Sequence, residues 1–319
     1  MGPVSIVLAV DGGGSKTDVA AIALNGELVA HAHGEGSSPQ RLGWPTVRPL
    51  LDGLRAQVLR EAGDRPILAT HVYLCGLDLP EELAEARSQL AHWGSAVVDN
   101  DLFALLRAGT LAPDAVAVVC GTGINAVGVR ADGATARFSA LGDIAGDWGG
   151  GAFLGARALW HAARAEDGRG RSTVLSKSVP AAFGMTSVAQ VTEALHFRRL
   201  PAYAVNRLCP VLFDAAAAGD EVAREVVDRQ AEEIALLATA AMRRLGLLGE
   251  VVPVVLGGGV LAAQRDLLGG AVVQRLRAAA PKAVPSWVTA PPVLGAGFAA
   301  LEAAGAGVSA FARYRAQLG

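Results

Sequence analysis

One unit occurs twice in this chain, and the repeat constrains the fold more than any other feature. Residues 5–10 are an apolar run that reads as a buried strand, and they lead into Asp11-Gly12-Gly13-Gly14-Ser15-Lys16-Thr17. Residues 18–24 then read as a second strand and 27–33 as a third, joined by Asn25-Gly26, a strong hairpin signal between apolar runs. The same order returns about a hundred residues later, as an internal duplication would. Residues 115–120 read as a buried strand, followed by Gly121-Thr122-Gly123, a strand over 125–130, the turn Ala131-Asp132-Gly133 and a third strand over 135–139.

The loops themselves narrow the chemistry. Glycines remove Cβ atoms, so backbone N–H groups can close on an anion such as phosphate. A carboxylate beside them, Asp11, suits a hydrated Mg²⁺. The first loop is not a Walker A sequence, because Ser15 stands where that motif needs glycine before its lysine. It is not a dinucleotide fingerprint, since a strand and not a helix follows. A third cluster, Gly257-Gly258-Gly259, ends a strand over 251–256 and precedes a helix expected over 260–279. Any one cluster is equally well a tight turn; three of them, two in matching contexts, favour nucleotide binding.

Helical spacing marks 45–62, 80–93 and a start at 101 in the first half. In the second half it marks 151–164, 173–183, 188–195, 201–218 and 221–245. These 319 residues therefore divide best at 1–114 and 115–319, with a helical insertion in the second part and the last helices packing back on the first. Apolar residues make up 52% of the chain and the mean hydropathy is +0.36, ample for two cores.

A net charge of −2 with no basic block gives no case for nucleic acid or an anionic membrane surface as partner. The most apolar stretch, 251–263, is too short and too glycine-rich to span a membrane. Residues 1–10 are short and uncharged, so no secretory leader is expected. Cys75, Cys120 and Cys209 are far apart and form no CxxC pair, which points to buried free thiols and a cytoplasmic setting.

Candidate catalytic carboxylates belong at strand ends. Asp11 is one, and Asp101, in Asp99-Asn100-Asp101 after a short strand at 96–98, is another. Asn and Asp are also preferred helix N-caps, so residues 99–101 allow capping, catalysis, or a division of the two. Asp143 and Asp147 lie among the glycines of 142–151, directly after the second hairpin, where carboxylates can accept hydrogen bonds from a polyhydroxy ligand. His31 and His33 share one strand face, but no third metal ligand is evident, so no metal site is expected there.

These motifs resemble those of the BadF/BadG/BcrA/BcrD ATPase family, which includes N-acetylglucosamine kinases and has the actin-like ATPase fold. The resemblance covers nearly the whole chain. It implies an α/β protein of two RNase-H-like domains flanking a nucleotide cleft. Gly12, Gly13, Gly14, Ser15, Lys16 and Thr17 would meet the phosphates from one side and Gly121, Thr122 and Gly123 from the other, with Gly257, Gly258 and Gly259 at the adenosine. Asp101, in the family's Asn-Asp pair with Asn100, would be the catalytic base, and Asp11 would hold Mg²⁺ through water. Asn125 of Gly-Thr-Gly-x-Asn, Asp147 of the pair Gly146-Asp147, Ser38 and Asn100 would face the sugar. Pro292-Val293-Leu294-Gly295-Ala296 matches a closing family motif. Departures cluster in the sugar pocket: residues 36–40 lack the usual asparagine, Leu141 replaces a tryptophan, and Trp148 stands where a glutamate is usual.

The resemblance thus implies ATP- and Mg²⁺-dependent phosphorylation of an amino sugar by a cytoplasmic homodimer, with N-acetylglucosamine at its 6-hydroxyl the leading acceptor and glucosamine or another amino sugar the alternatives. Two other classes remain: an activator ATPase of an acyl-CoA dehydratase or reductase, which needs clustered cysteines for an iron–sulfur centre, and a sugar sensor without catalysis.

Overall fold

Among the described residues, ten strands form two five-stranded sheets of the same design. The computed structural model describes residues 4–318, so the first three residues of the uncharged opening segment lie outside the described residues. Strands β1 (Ile6–Gly12), β2 (Lys16–Ala23), β3 (Leu28–Glu35), β4 (Ile67–Leu74) and β5 (Ala96–Asn100) lie in the order β3-β2-β1-β4-β5. Strands β6 (Ala115–Cys120), β7 (Ile124–Val129), β8 (Thr135–Arg137), β9 (Val252–Gly257) and β10 (Ala283–Trp287) lie in the order β8-β7-β6-β9-β10. In both sheets the hairpin pairings are antiparallel and the remaining two are parallel. The duplication visible in the loops is therefore a duplication of whole sheets.

β1 and β6 are central strands covered on both faces, which is why they read as continuous apolar runs and not as alternating ones. At the Asn25-Gly26 turn, Gly26 has φ +85° and lies against the Ala310 carbonyl, where a Cβ has no room. Helix Trp44–Ala62 lays its buried Val47, Leu51 and Val58 stripe on one face of the first sheet. Helices Pro292–Ala303 and Val308–Leu318 return to the other face, where Leu294, Phe298, Leu301 and Tyr314 pack on Val7, Ala9, Ala20 and Ile22.

The helices between β8 and β9, from Gly151–Glu166 to Glu221–Arg244, build the larger core over the second sheet. Helix Asp101–Gly109 is shared: Ala104 joins the first sheet's core, while Leu102, Leu105 and Leu106 meet Ala115, Ala117, Val127 and Val255 of the second. It crosses helix Pro292–Ala303 in backbone contact at Gly295, where a Cβ would collide with the Ala104 carbonyl and the Ala108 amide. This gives the Pro292–Ala296 motif a packing reason.

Two expected helices are less regular than their periodicity implies. The stretch 260–279 breaks into Gly259–Ala263, a wide turn Arg265–Gly269 and Gly270–Ala279, because Gln264 leaves the helical region (φ −119°, ψ 36°). The stretch 201–218 begins as a 3₁₀ segment, Ala202–Arg207, before helix Leu208–Ala217. Among the described residues no helix is long and apolar enough to cross a membrane.

Candidate active site

Two cavities meet at the loop after β6. A polar one of about 360 Å³ is lined by Gly14, Ser38, Cys75, Asp78, Asn100 and Asp101 from the first sheet's side. Gly121, Thr122, Gly123, Asn125, Gly142 and Asp147 line it from the second. The other, about 440 Å³, is lined by Gly151, Asn206, Cys209, Phe213, Gly259, Val260 and Gln264, and again by Gly121 and Thr122. The Gly121–Thr122 edge is thus common to a chamber with carboxylate and amide side chains and one lined more by apolar side chains.

The β1–β2 loop is fixed by its own backbone and by residues 35–41. Gly13 N–H donates to the Lys16 carbonyl at 2.9 Å, and Ser37 N–H donates to the Gly13 carbonyl at 3.0 Å. Thr17 is buried; its hydroxyl donates to the Glu35 carbonyl at 2.6 Å, which leaves its oxygen to accept from the Ser37 hydroxyl at 2.8 Å. Arg41 donates to the Gly14 carbonyl at 2.8 Å. Gly12 is buried, with Ser37 and Leu74 filling the place of a Cβ, while Gly14, Ser15 and Lys16 are exposed. In the facing loop, Gly121 N–H donates to the Gly123 carbonyl at 2.9 Å. A Cβ on Gly123 would project into space with no atom within 4 Å. Of the third cluster, Gly259 lines the second cavity, while Gly257 packs under Leu105 and Val288 and Gly258 lies against the Cys120 backbone.

Residues 99–101 divide the labour at the end of β5. Asp99 forms a bidentate ion pair with Arg137 of β8, both contacts at 2.7 Å, and so ties the two sheets together. Asn100 is the N-cap of helix Asp101–Gly109, its Oδ1 accepting from Leu102 N–H at 2.9 Å. Asp101 lines the cavity beside Asn100. Burial pushes its carboxyl up to about 6, against the pull of the backbone N–H groups of Asp101 and Leu102 at the helix start.

Asp78 is a component with no motif to announce it. Its Oδ1 accepts from Asn100 Nδ2 at 3.0 Å and from Asn125 Nδ2 at 2.8 Å, so one carboxylate orients an amide from each sheet. Burial, and then the charges of Asp101 and Glu82, raise its carboxyl to about 7. Glu82 in turn accepts from the backbone N–H groups of Asp78 and Leu79 and from Gln40 Nε2. Both ends of the Asn100 amide are accordingly engaged by protein groups.

Asp147 follows the 3₁₀ turn Gly142–Ala145 and accepts from Gly142 N–H at 2.9 Å. Partial burial raises its carboxyl, with that N–H pulling the other way. Gly146, at φ +80°, supplies the turn before it. Trp148 packs on Phe153 with ring centroids 4.8 Å apart, joining the core below the loop. Fully buried Gln230, another residue without a sequence signal, accepts from Gly150 N–H at 3.0 Å.

Asp11, at the end of β1, is 5% exposed. Burial, then the charges of Asp101 and Asp18, push its carboxyl well above its ordinary range, with Lys16 opposing them. Asp11 lines neither cavity, so as a single buried carboxylate beside the glycine loop it fits Mg²⁺ held at a distance through water rather than by direct ligation. The open space over Gly123 and the shared Gly121–Thr122 edge fit a phosphate chain running between the two cavities. His31 and His33, expected to lack a third candidate ligand, have one beside them: β2–β3 pairing places Asp18 opposite His33. That partner was hidden because it lies on the neighbouring strand.

The sequence model of the BadF/BadG/BcrA/BcrD ATPase family matches residues 8–298. The chain is 23% identical over 313 residues to the N-acetyl-D-glucosamine kinase of Dictyostelium discoideum, covering 93% of this chain and 98% of that protein. It is 25% identical over 260 residues to the N-acetylmuramic acid/N-acetylglucosamine kinase of Clostridium acetobutylicum, covering 80% and 85%. A crystal structure from Chromobacterium violaceum superposes with a TM-score of 0.72 at 25% identity, covering 93% of this chain and 99% of that one. The doubled sheets are those of the actin-like ATPase fold.

Proposed function

The chain belongs to the BadF/BadG/BcrA/BcrD ATPase family, and from that premise we propose that it phosphorylates an amino sugar with ATP, N-acetylglucosamine at its 6-hydroxyl being the leading acceptor. The observation that carries this reading is the pair of cavities sharing the Gly121–Thr122 edge, with Asp101 on the polar side. A nucleoside in the apolar cavity and a polyhydroxy acceptor in the polar one would meet at that edge. The acceptors named for the Dictyostelium and Clostridium relatives support an N-acetylated amino sugar.

ATP with Mg²⁺ supplies the transferable phosphoryl group and the charge neutralisation that in-line transfer needs. The two glycine loops, Gly12 to Thr17 and Gly121 to Gly123, hold the phosphates from opposite sides. Gly259, with Asn206 and Phe213, would hold the adenosine, and Asp11 would hold the metal through water. Asp101 accepts the proton of the attacking hydroxyl. A carboxyl titrating at about 6 is ionised at neutral pH and still basic enough to take that proton. Asp147, Asn125, Ser38 and the Asn100–Asp78 pair orient the acceptor. Movement of the two sheets toward each other would exclude water and suppress ATP hydrolysis.

The test is ADP release with ATP and Mg²⁺ across a panel of hexoses and amino sugars. Release that depends on an N-acetylated amino sugar is expected. Sugar-independent release, or none with any sugar, would overturn the proposal.

A further inference from the structure

We propose that Asp18, His31 and His33 form a binding site for a divalent transition-metal ion of the zinc class on the β2–β3 hairpin, one strand away from Asp11. The register pairs Asp18 with His33, and the period of two puts His31 on the same face. Their three donor atoms lie within 4.8 Å of one another. His31 Nε2 is 3.2 Å from Asp18 Oδ1, and His33 Nδ1 contacts the same oxygen. Donors at tetrahedral zinc distances sit about 3.3 Å apart, so side-chain rotations suffice to close the shell.

An independent observation concerns Asp18 itself. Its side chain is 2% exposed; Oδ1 faces both imidazoles, and Oδ2 pairs with the Lys16 ammonium at 3.3 Å. A buried carboxylate persists as an anion only where such partners surround it, so the electron-pair acceptors at this point are drawn to one oxygen. The two imidazole centroids are 4.1 Å apart and both rings address one oxygen, so three donors already converge on one point. A metal ion takes the lone pairs of two neutral rings and the carboxylate charge together.

Two imidazoles and one carboxylate select Zn²⁺, Co²⁺ or Ni²⁺ over Mg²⁺, which prefers an all-oxygen shell. Three protein ligands leave a fourth position for water or an outside donor. The side chains of His33 and His31 are 67% and 20% exposed, so an ion can enter from solvent.

The test is titration of chelator-treated full-length protein with Co²⁺, followed by visible absorption, and with Zn²⁺, followed by calorimetry. One equivalent is expected to bind with ligand-field bands, and excess Mg²⁺ is expected not to displace it. His33→Ala, at an exposed position, and His31→Gln should each lower affinity by at least about 10-fold, the scale of even an outer-shell loss, with circular dichroism unchanged. Absence of stoichiometric binding, binding unaltered in both variants, or a thiolate charge-transfer band marking cysteine ligation would overturn the proposal.

Discussion

Gly295→Ala is expected to reduce stability and turnover together, although residue 295 lines neither cavity. The added methyl would strike the Ala104 carbonyl and the Ala108 amide of helix Asp101–Gly109. These are backbone atoms, so no side-chain rotation relieves the clash. The two helices must separate by on the order of 1 Å, an overpacking strain of about 1–3 kcal/mol. Asp101 is the first residue of the displaced helix. A misplacement of about 1 Å at a reacting group costs roughly 100-fold in rate. Calorimetry and sugar-dependent ADP release on the same preparation read the two effects. Gly53→Ala in helix Trp44–Ala62 is the control: nothing lies within 4 Å of its Cβ. It should stabilise by about 0.5–1 kcal/mol through helix propensity. A Gly295→Ala protein with unchanged melting temperature and kcat would refute the reasoning. Lost stability with full kcat would show that this helix crossing does not position Asp101.

Asp101→Asn should lower kcat by about 10²–10⁴-fold, the range of general-base contributions, while binding of a fluorescent ATP analogue stays near that of the unaltered protein. The same variant should be more stable at pH 8. A carboxyl raised to about 6 in the folded state binds more protons folded than unfolded, so stability falls as pH rises from about 4 to 6. Removing that cost gains on the order of 1 kcal/mol after discounting for the open cleft; chemical denaturation at pH 5 and pH 8 would expose a wrong sign. Turnover should rise with pH through about 6 as the Asp101 carboxyl ionises, and a kcat profile flat from pH 5 to 8 would contradict its role as base. Asp78→Ala removes the common acceptor of Asn100 and Asn125. It should raise KM for the sugar well above any change in KM for ATP, and an equal rise in both would remove Asp78 from the acceptor pocket.

The parts legible in the sequence were those with local causes. Asn25-Gly26 and the apolar runs around it carry their own turn and strand chemistry, and the recurrence at 115–139 encodes the doubled architecture locally. Asp101 stood out because a carboxylate directly follows a short strand. Asp78 could not stand out, since its meaning comes from Asn100 and Asn125, 22 and 47 residues away. Gln230 is 80 residues from the amide it receives. Asp18 and His33 become neighbours only through the hairpin register. The break at Gln264 was hidden because the apolar spacing on its two sides stays helical. Local propensity thus revealed elements and loops, while the polar pairs between strands and sheets depend on tertiary placement.

The central claim is phosphoryl transfer to a sugar hydroxyl in the cavity that holds Asp101. Its most direct test is ³¹P NMR of the reaction of the unaltered protein with ATP, Mg²⁺ and N-acetylglucosamine. The account predicts a phosphate monoester resonance coupled to the two C6 protons, growing in step with ADP. Inorganic phosphate as the only new species, or an ester at another carbon, would contradict it.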